Sequence, residues 1–255
     1  MTTGPPSDIP RPDKPRVSVI VPAFQEESRL GRILSQFPPA FRRRRNVQLI
    51  VSDGGSTDRT CEIASGAADV LVENTDGHRQ TISEGRNRGA DAAGGELLVF
   101  LNADVTVDDP DNLLTAARVA FRDRRIVAAI CRVLVDPAEE TLFDRCFHVG
   151  FTWWCRLVTL LGAGMGRGEC QIVRAELFRM VGGYNERLAA AEDYDLFRRV
   201  GKRGRIAFLR GVTIYESPRR YRALGYPKVL AMWFLNALSV MVKGSSRSKR
   251  WDAVR

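Results

Sequence analysis

Three short apolar segments, each followed by a polar turn, constrain the fold of this chain more than any other feature. They span residues 16–22, 47–52 and 97–101, and their β-branched and aliphatic content predicts buried strands. Helical patterns separate them, at 28–36 and again from near Thr57. Strands alternating with helices predict an α/β protein with a mostly parallel central sheet flanked by helices. The polar turns then lie at one edge of the sheet, where such proteins bind their ligands.

The third apolar segment runs directly into Asn102, Ala103 and Asp104, which places a carboxylate at that edge. Hard divalent cations prefer oxygen ligands, so Asp104 is a candidate metal ligand. An Asp that follows a strand is, however, more often a turn residue or the N-cap of the next helix. Taken alone, this residue leaves both interpretations open.

The composition indicates a globular protein in a reducing environment. Its 255 residues are 44% hydrophobic and 27% charged, enough for one large domain or two small ones. Residues 1–15 are rich in proline and polar groups, which predicts a disordered lead-in. The 5 cysteines are odd in number and lack Cys-x-x-Cys spacing, so neither a zinc site nor a disulfide framework is indicated. We therefore expect a cytoplasmic location.

The formal net charge of +9 indicates anionic partners. Much of it lies in the run 42–45, which we interpret as a loop, and in the tail 243–250. The arginine run has no interleaved aromatic residues, which argues against a specific nucleic-acid site and favours sugar nucleotides or anionic lipids. His78 and His148 lie far from any Ser or Cys motif, which argues against a Ser-His-Asp or Cys-His hydrolase.

Two apolar segments, 151–161 and 229–242, are rich in large side chains. Each is shorter than the roughly 20 apolar residues of a transmembrane helix. Core or interface helices are the default interpretation. Tryptophans beside a basic tail are also typical of a protein that rests on an anionic bilayer, so peripheral contact with the inner face of a membrane is the alternative.

Six motifs, in this order along residues 17–216, resemble those of family 2 glycosyltransferases. They are SVIVPAFQEE at 18–27, SDGGSTD at 52–58, GRNRG at 85–89, Asn-Ala-Asp at 102–104, GGYNE at 182–186 and Glu-Asp at 192–193. Each motif alone is a weak signal, but the ordered set is specific. The resemblance implies the GT-A fold, which is the Rossmann-like fold of nucleotide-diphospho-sugar transferases.

The resemblance also implies a set of nucleotide-binding residues in the first half of the chain. These are Pro22, Phe24, Glu26, Asp53, Arg86, Asn102, Ala103 and Asp104. Asp53 would accept hydrogen bonds from the base, although an Asx-turn opening the next helix is the alternative. Asp104 would hold Mn²⁺ or Mg²⁺ against the donor diphosphate. Asn102 replaces the family's usual Asp and is a poorer metal ligand.

In the second half, Asp193 matches the family's catalytic base, and Glu192 would orient the acceptor or that base. Acids in the first turn of a helix are also what the helix dipole favours. Arg219 and Arg220 are expected on a loop after a late strand, where guanidinium forks would suit a diphosphate or a phosphate on the acceptor. The alternative for this pair is a solvated basic patch.

The sequence therefore predicts an inverting glycosyltransferase that uses a nucleotide-diphospho-sugar donor and a carbohydrate or lipid-linked acceptor. Its GT-A domain would span 16–220, with a nucleotide-sugar half at 16–108 and an acceptor half at 109–220, before an apolar helix and basic tail at 221–255. Two rival interpretations are a nucleotidyltransferase and a non-catalytic sugar- or lipid-binding module. The first strand loop lacks the glycine-rich basic signature of the former, and Asp104 with Asp193 argues against the latter.

Overall fold

The structure, a computed structural model, describes residues 16–162 and 164–248. The predicted lead-in and the end of the basic tail, 249–255, lie outside the described residues. The strands are β1 (Val17–Ala23), β2 (Val47–Asp53), β3 (Val70–Val72), β4 (Leu97–Leu101), β5 (Val105–Val107), β6 (Ile126–Val135), β7 (Cys170–Arg174) and β8 (Arg205–Glu216). The helices are α1 (Leu30–Ser35), α2 (Pro39–Arg45), α3 (Thr60–Ala67), α4 (Ile82–Asp91), α5 (Pro110–Ala120), α6 (Leu142–Leu160), α7 (Ala175–Met180), α8 (Glu192–Gly201), α9 (Arg219–Leu224) and α10 (Tyr226–Lys243).

The strands form one sheet in the order β3-β2-β1-β4-β7-β6-β8-β5. Strand β1 pairs in parallel with β2 and β4, β2 with β3, and β6 with β8. Strand β7 runs antiparallel to both β4 and β6, and β5 runs antiparallel to β8. The predicted α/β class with a mixed, mostly parallel sheet is confirmed.

The core lies on both faces of this sheet, because alternate residues of a strand point to opposite sides. Val19 and Val21 of β1 pack with α1, α3 and α5, whereas Ile20 packs with α4, α7 and α8. A strand buried on both faces has no position for a solvated side chain. This explains why the strand segments are continuously apolar in the sequence.

Polar residues gather at one edge of the sheet, as predicted. Strands β1, β2 and β4 end there at Ala23, Asp53 and Leu101. The antiparallel register pairs Leu101 with Cys170, so β7 begins at the same edge. Strand β8 ends there too, since Glu216 pairs with Val105 immediately after the Asn-Ala-Asp turn.

The interpretation of the arginine run 42–45 as a loop is wrong, because it forms the C-terminal half of α2. Pro39 supplies a favourable first helical residue, and Asn46 ends the helix in the left-handed conformation with φ 48°. The Arg42 guanidinium is buried, lies 3.2 Å from the Asp69 carboxylate and donates to the Ala67 carbonyl. Part of the positive charge therefore stabilises the fold rather than a ligand.

The expected loop at 217–221 is also wrong, since α9 begins at Arg219 directly after β8. Tyr221 is buried and stacks on Tyr226 of α10, with ring centroids 4.5 Å apart. This aromatic packing stabilises a helical turn where the sequence suggested irregular structure. Both arginines therefore lie on the first turn of a short helix.

The apolar segments 151–161 and 229–242 fall within or at the end of α6 and α10. Across residues 16–162 and 164–248, no helix combines the length and the apolar character that crossing a membrane requires.

Candidate active site

A pocket of about 670 Å³ opens at the sheet edge where the polar turns meet. This volume suits a small-molecule ligand. The sequence-predicted residues that line it are Pro22, Phe24, Glu26, Arg86, Asn102, Ala103, Asp104, Glu192, Asp193, Arg219 and Arg220. Residues from distant parts of the chain thus converge on one cavity.

Asp53 is the predicted site residue that does not line this pocket. Its side chain is 3% exposed, and Oδ2 accepts hydrogen bonds from the Gly55 and Ser56 amides at 2.8 and 2.9 Å. This is the Asx-turn alternative. Ser52 and Gly54 form the pocket wall there, and a contact between Asp53 and a nucleobase stays a prediction.

Arg86 is the central cation of the site. It is 1% exposed and donates from Nη1 to Glu192 Oε1 at 2.8 Å. Its Nη2 donates to Asn102 Oδ1 at 3.1 Å and to the Gly168 carbonyl at 2.8 Å. One buried guanidinium therefore ties together the turn after β4, the segment before β7 and the start of α8.

Two of the family-like motifs interlock and hold this arginine in place. Asn87 Nδ2 donates to the Tyr184 carbonyl at 2.9 Å, and Asn87 Oδ1 accepts from the Tyr184 amide at 2.8 Å. Gly183 has φ 66°, and a Cβ there would lie 2.6 Å from Asn87 Oδ1. Only glycine at position 183 allows this close approach to α4.

Asp193 lies on the first turn of α8, and its carboxylate is unusually basic. Burial raises the pKa of Asp193 to about 7, and the neighbouring Glu192 carboxylate adds to the effect. Its Oδ1 accepts the Tyr194 amide at 2.7 Å. A carboxylate with a pKa near neutrality at the wall of a pocket suits proton transfer.

Glu26 and Asp104 share one cation, Arg219. The Arg219 Nη2 lies 2.7 Å from Glu26 Oε1 and 3.0 Å from Asp104 Oδ2. Burial raises the pKa of the Glu26 carboxyl, and its hydrogen bond to Arg219 opposes that rise. Glu26 Oε2 is buried without a hydrogen-bond partner among the described residues. Glu26 thus keeps one carboxylate oxygen without a hydrogen-bond partner.

These two carboxylates are the side chains that fit a divalent cation. Within the described residues, no three His, Cys, Asp or Glu side chains converge to form a complete metal site. Mg²⁺ and its relatives are commonly held by one or two carboxylates together with substrate phosphates. Asn102 carries no negative charge, and its oxygen accepts a hydrogen bond from Arg86, so it is a weaker candidate ligand. The donor set therefore fits a cation that arrives with a diphosphate.

Sequence reasoning missed Arg79, which lines the pocket beside Phe24. Its guanidinium carbon lies 4.2 Å from the centroid of the Phe24 ring. A planar cation over an aromatic ring forms a flat surface suited to a heterocyclic base. No motif in the sequence marks Arg79, because only the fold brings it to Phe24.

Sequence reasoning also missed a buried ionic network beneath the pocket, centred on Arg167. This side chain is 4% exposed, contacts Glu216 Oε1 at 2.8 Å and Glu169 Oε2 at 3.2 Å, and lines the cavity. Burial raises the pKa of Glu216 well above its usual range, and the charge of Glu169 adds to this. The signal was an arginine within the glycine-rich stretch 162–168.

Two glycines of that stretch, Gly164 and Gly166, pack tightly against Phe197 of α8. A Cβ on Gly164 would lie 2.6 Å from the Phe197 carbonyl oxygen, and one on Gly166 would lie 2.6 Å from the Phe197 ring. The glycines are therefore required by contact with α8. Their packing brings Arg167 and Glu169 against the cavity.

Backbone strain also concentrates here. Gln25 and Ala191 have φ values of 57° and 61°, which residues other than glycine rarely adopt. Gln25 directly precedes Glu26, and Ala191 directly precedes Glu192. Strain of this kind clusters at functional sites.

Two solved structures with the same architecture contain Mn²⁺ together with a nucleotide sugar or a nucleoside diphosphate. PcManGT, a mannosyltransferase from Pyrobaculum calidifontis solved with GDP-Man and Mn²⁺, matches with a TM-score of 0.71 at 20% identity, over 90% of this chain and 65% of PcManGT. Glucosyl-3-phosphoglycerate synthase from Mycobacterium tuberculosis, solved with Mn²⁺, UDP and glucosyl-3-phosphoglycerate, matches with a TM-score of 0.58 at 18% identity, over 92% of this chain and 82% of the synthase. The chain has the GT-A fold.

Relatives by sequence point the same way. A PGL/p-HBAD biosynthesis glycosyltransferase of Mycobacterium bovis is 37% identical over 187 residues, which are 71% of this chain and 68% of that protein. The succinoglycan biosynthesis protein ExoA of Rhizobium meliloti is 28% identical over 192 residues, 73% of this chain. The chain spans 58% of the length of ExoA. The model of glycosyl transferase family 2 matches residues 18–170, and the chain belongs to this family.

Proposed function

We propose that this chain transfers a sugar, with inversion, from a nucleotide-diphospho-sugar donor to a hydroxyl or lipid phosphate of an acceptor. One observation carries the proposal. The Asp193 carboxylate, whose pKa is raised to about 7, lines the same pocket as the Glu26 and Asp104 carboxylates that Arg219 bridges. Glycosyl transfer removes a proton from the acceptor and leaves negative charge on the diphosphate. A base and a cation-binding group in one cavity suit these two steps.

In this proposal Asp193 takes the proton of the acceptor hydroxyl as that oxygen attacks the anomeric carbon. A pKa near 7 lets the carboxylate be ionised under ordinary conditions and still bind the proton strongly. Glu192 acts on the base indirectly, since its carboxylate is held by Arg86 at 2.8 Å. This ion pair orients the first turn of α8, on which Asp193 lies.

The leaving diphosphate is stabilised on the opposite side of the pocket. Arg219 would exchange its contacts with Glu26 and Asp104 for the phosphate oxygens, which a guanidinium binds as a fork. Arg220 lines the same wall. Asp104, with Glu26 beside it, would hold Mn²⁺ or Mg²⁺, and the cation would supply further charge neutralisation on the diphosphate.

The remaining parts of the proposal concern binding. The nucleotide-sugar half at 16–108 would hold the base between Pro22 and the Phe24–Arg79 pair, and the acceptor half at 109–220 would bring Asp193 to the acceptor. A lipid-linked acceptor is supported by the apolar helices that line one side of the pocket. The cytoplasmic location inferred from the unpaired cysteines stays a prediction.

The test is a donor screen with the purified chain. Nucleoside-diphosphate sugars with different bases are incubated with Mn²⁺, Mg²⁺ or EDTA, and the released nucleoside diphosphate is measured. Release that depends on Asp193, with the transferred sugar of inverted anomeric configuration by NMR, is the expected result. Formation of nucleoside triphosphate and sugar 1-phosphate when pyrophosphate is added to the donor would indicate a nucleotidyltransferase instead. Tight donor binding with no release under any condition would indicate a non-catalytic module and overturn the proposal.

A further inference from the structure

Large apolar side chains are exposed almost entirely on one pair of helices. Among the described residues, every exposed large hydrophobic side chain belongs to α6, to Leu161 directly after it, or to α10, except Val119 and Met180. Single exposed apolar residues need no explanation, but a concentration of them marks an interaction surface.

Each helix carries its exposed residues as a stripe. On α6 they are Leu142, Phe143, Val149, Trp153, Trp154, Leu157 and Leu160, and on α10 they are Leu230, Phe234, Leu235, Leu238, Met241 and Val242. Spacings of three, four and seven residues place such a set on one side of a helix. Trp153 is 60% exposed and Phe234 is 67% exposed, so these stripes are not covered by the rest of the described chain.

The two helices lie side by side. The centroids of the Phe147 and Tyr226 rings lie 4.4 Å apart. The centroids of the Phe151 and Trp233 rings lie 5.4 Å apart, about one turn further along α6 and two turns further along α10. The stripes therefore belong to neighbouring helices whose aromatic contacts advance in the same direction along both. Together they form what we term the α6–α10 surface, defined by the stripe residues given above.

The exposed charges of these two helices have one sign. The acidic residue within them is Asp144, whose side chain is fully buried against Arg222 and Tyr226. The basic residues on these helices are Arg145, Arg156, Lys228 and Lys243. An apolar face on helices whose exposed charges are basic is complementary to anionic lipid headgroups above an acyl layer.

The surface is also continuous with the candidate active site. Phe151 of α6 and Trp233, Asn236 and Ala237 of α10 line the pocket from their buried sides. The same helices therefore form a wall of the cavity and carry the exposed stripes.

We propose that the α6–α10 surface docks this chain on an anionic lipid bilayer, with the helices lying in the plane of the interface. Trp153 and Trp154 would occupy the headgroup region, which tryptophan favours. The pocket would then open beside the membrane, so an acceptor with a lipid tail could present its head to Asp193 without leaving the bilayer. The docking itself does not depend on catalysis.

The test uses the full chain and vesicles of two compositions. We expect co-sedimentation with vesicles that mix phosphatidylglycerol and phosphatidylcholine, weaker binding to pure phosphatidylcholine, and loss of the difference at high salt. Brominated acyl chains should quench the tryptophan fluorescence. Absence of binding to the anionic vesicles would overturn the proposal.

Matched variants locate the surface. Trp153→Gln combined with Phe234→Gln should lower vesicle partitioning by roughly 10- to 100-fold, because two exposed apolar side chains no longer insert. Val119→Gln combined with Met180→Gln removes exposed apolar residues elsewhere and should leave partitioning unchanged. Equal loss in both double variants would contradict the assignment.

Two further measurements distinguish docking from catalysis and from self-association. Vesicle binding by Asp193→Asn should equal that of the wild type, so failure of the proposed chemistry and failure of docking are distinguishable. Analytical ultracentrifugation should show a monomer whose mass the stripe variants do not change. A concentration-dependent dimer that those variants dissociate would show that a second copy covers the surface, and would refute membrane docking.

Discussion

The substitution Asp193→Asn should make the protein more stable and less active at the same time. Asparagine has nearly the same shape, and its side-chain oxygen keeps the 2.7 Å hydrogen bond from the Tyr194 amide. What it removes is a charge in an unfavourable place. Burial, with Glu192 beside it, raises the pKa of Asp193 from 3.8 to about 7.

The magnitude follows from that pKa. The rise of this pKa from 3.8 to about 7 corresponds to about 4 kcal/mol, and water in the open pocket reduces the expected effect to about 2 to 4 kcal/mol. Between the two pKa values the folded state holds a proton that the unfolded chain has released. The free energy of unfolding of the wild type therefore falls as pH rises through this window. At about pH 8 the variant should be more stable by this amount, and at about pH 4 the two should be nearly equal.

The kinetic effect has the opposite sign. Loss of a general base should lower the rate of transfer by roughly 10² or more. The wild-type kcat/KM should rise with pH and level off above about 7, and kcat/KM of the variant should not show this rise. Urea unfolding followed by circular dichroism at both pH values, together with initial rates across pH, measures all three quantities. Wild-type turnover in the variant, or no pH-dependent gain in stability, would refute the reasoning.

Asp195→Asn is the matched control. Asp195 is two residues away on the same helix, but it does not line the pocket, and its Oδ2 accepts from Arg199 Nε at 2.7 Å. Removing this charge breaks an ion pair instead of relieving a buried charge. We expect this variant to be less stable than the wild type at about pH 8. Its kcat/KM should rise with pH as the wild-type value does. If kcat/KM of this variant no longer rose with pH, the pH dependence could not be assigned to Asp193 and would reflect a general change in α8.

Three further predictions concern the side of the pocket where Arg219 bridges Glu26 and Asp104. Asp104→Ala should weaken Mn²⁺-dependent donor binding and transfer together by about 10²-fold, measured by calorimetry and initial rates, and full wild-type turnover in EDTA would contradict the metal role. Arg219→Lys and Arg220→Lys keep the charge but lose the planar guanidinium, so the KM for the donor should rise about tenfold in each. Arg222→Lys is the control and should leave this KM unchanged. An unchanged donor KM in the first two variants would show that these arginines do not bind the donor. Arg219→Gln should tighten Mn²⁺ binding in the absence of donor, because the arginine no longer pairs with the Asp104 carboxylate. Electron paramagnetic resonance measures this binding. Weaker binding in the variant would show that Arg219 and Mn²⁺ do not compete for Asp104.

The sheet and its polar edge were predictable because their signals are local. A strand buried on both faces must be apolar along its length, and the turn after it must be polar, so the segments ending at Ala23 and Leu101 could be identified from the sequence. The ordered motifs predicted site roles for Asp193 and Asp104, and both side chains line the pocket. Both signals depend on residue types at short spacings, which a single sequence records.

Long-range contacts were not predictable in the same way. The arginine run 42–45 reads as a solvated charge cluster until Arg42 is seen between the Ala67 carbonyl and Asp69. Arg167 is one arginine among glycines until β7 and β8 bring Glu169 and Glu216 to it. The pairing of such residues depends on how strands from distant segments align. Periodicity within one segment holds no information about this.

Asn102, the clearest departure from the family pattern, follows from the charge balance of the pocket. Arg86 already faces Glu192, with Asp193 next along the helix, and Asn102 gives it a neutral acceptor at 3.1 Å. The Arg86 charge lowers the pKa of Asp193, and a carboxylate at position 102 beside this guanidinium would offset that lowering. It would also compete with Glu192 for the same guanidinium. In the proposed function, the amide would therefore keep Asp193 less basic at the expense of one metal ligand, and the divalent cation would be held by Asp104 and Glu26.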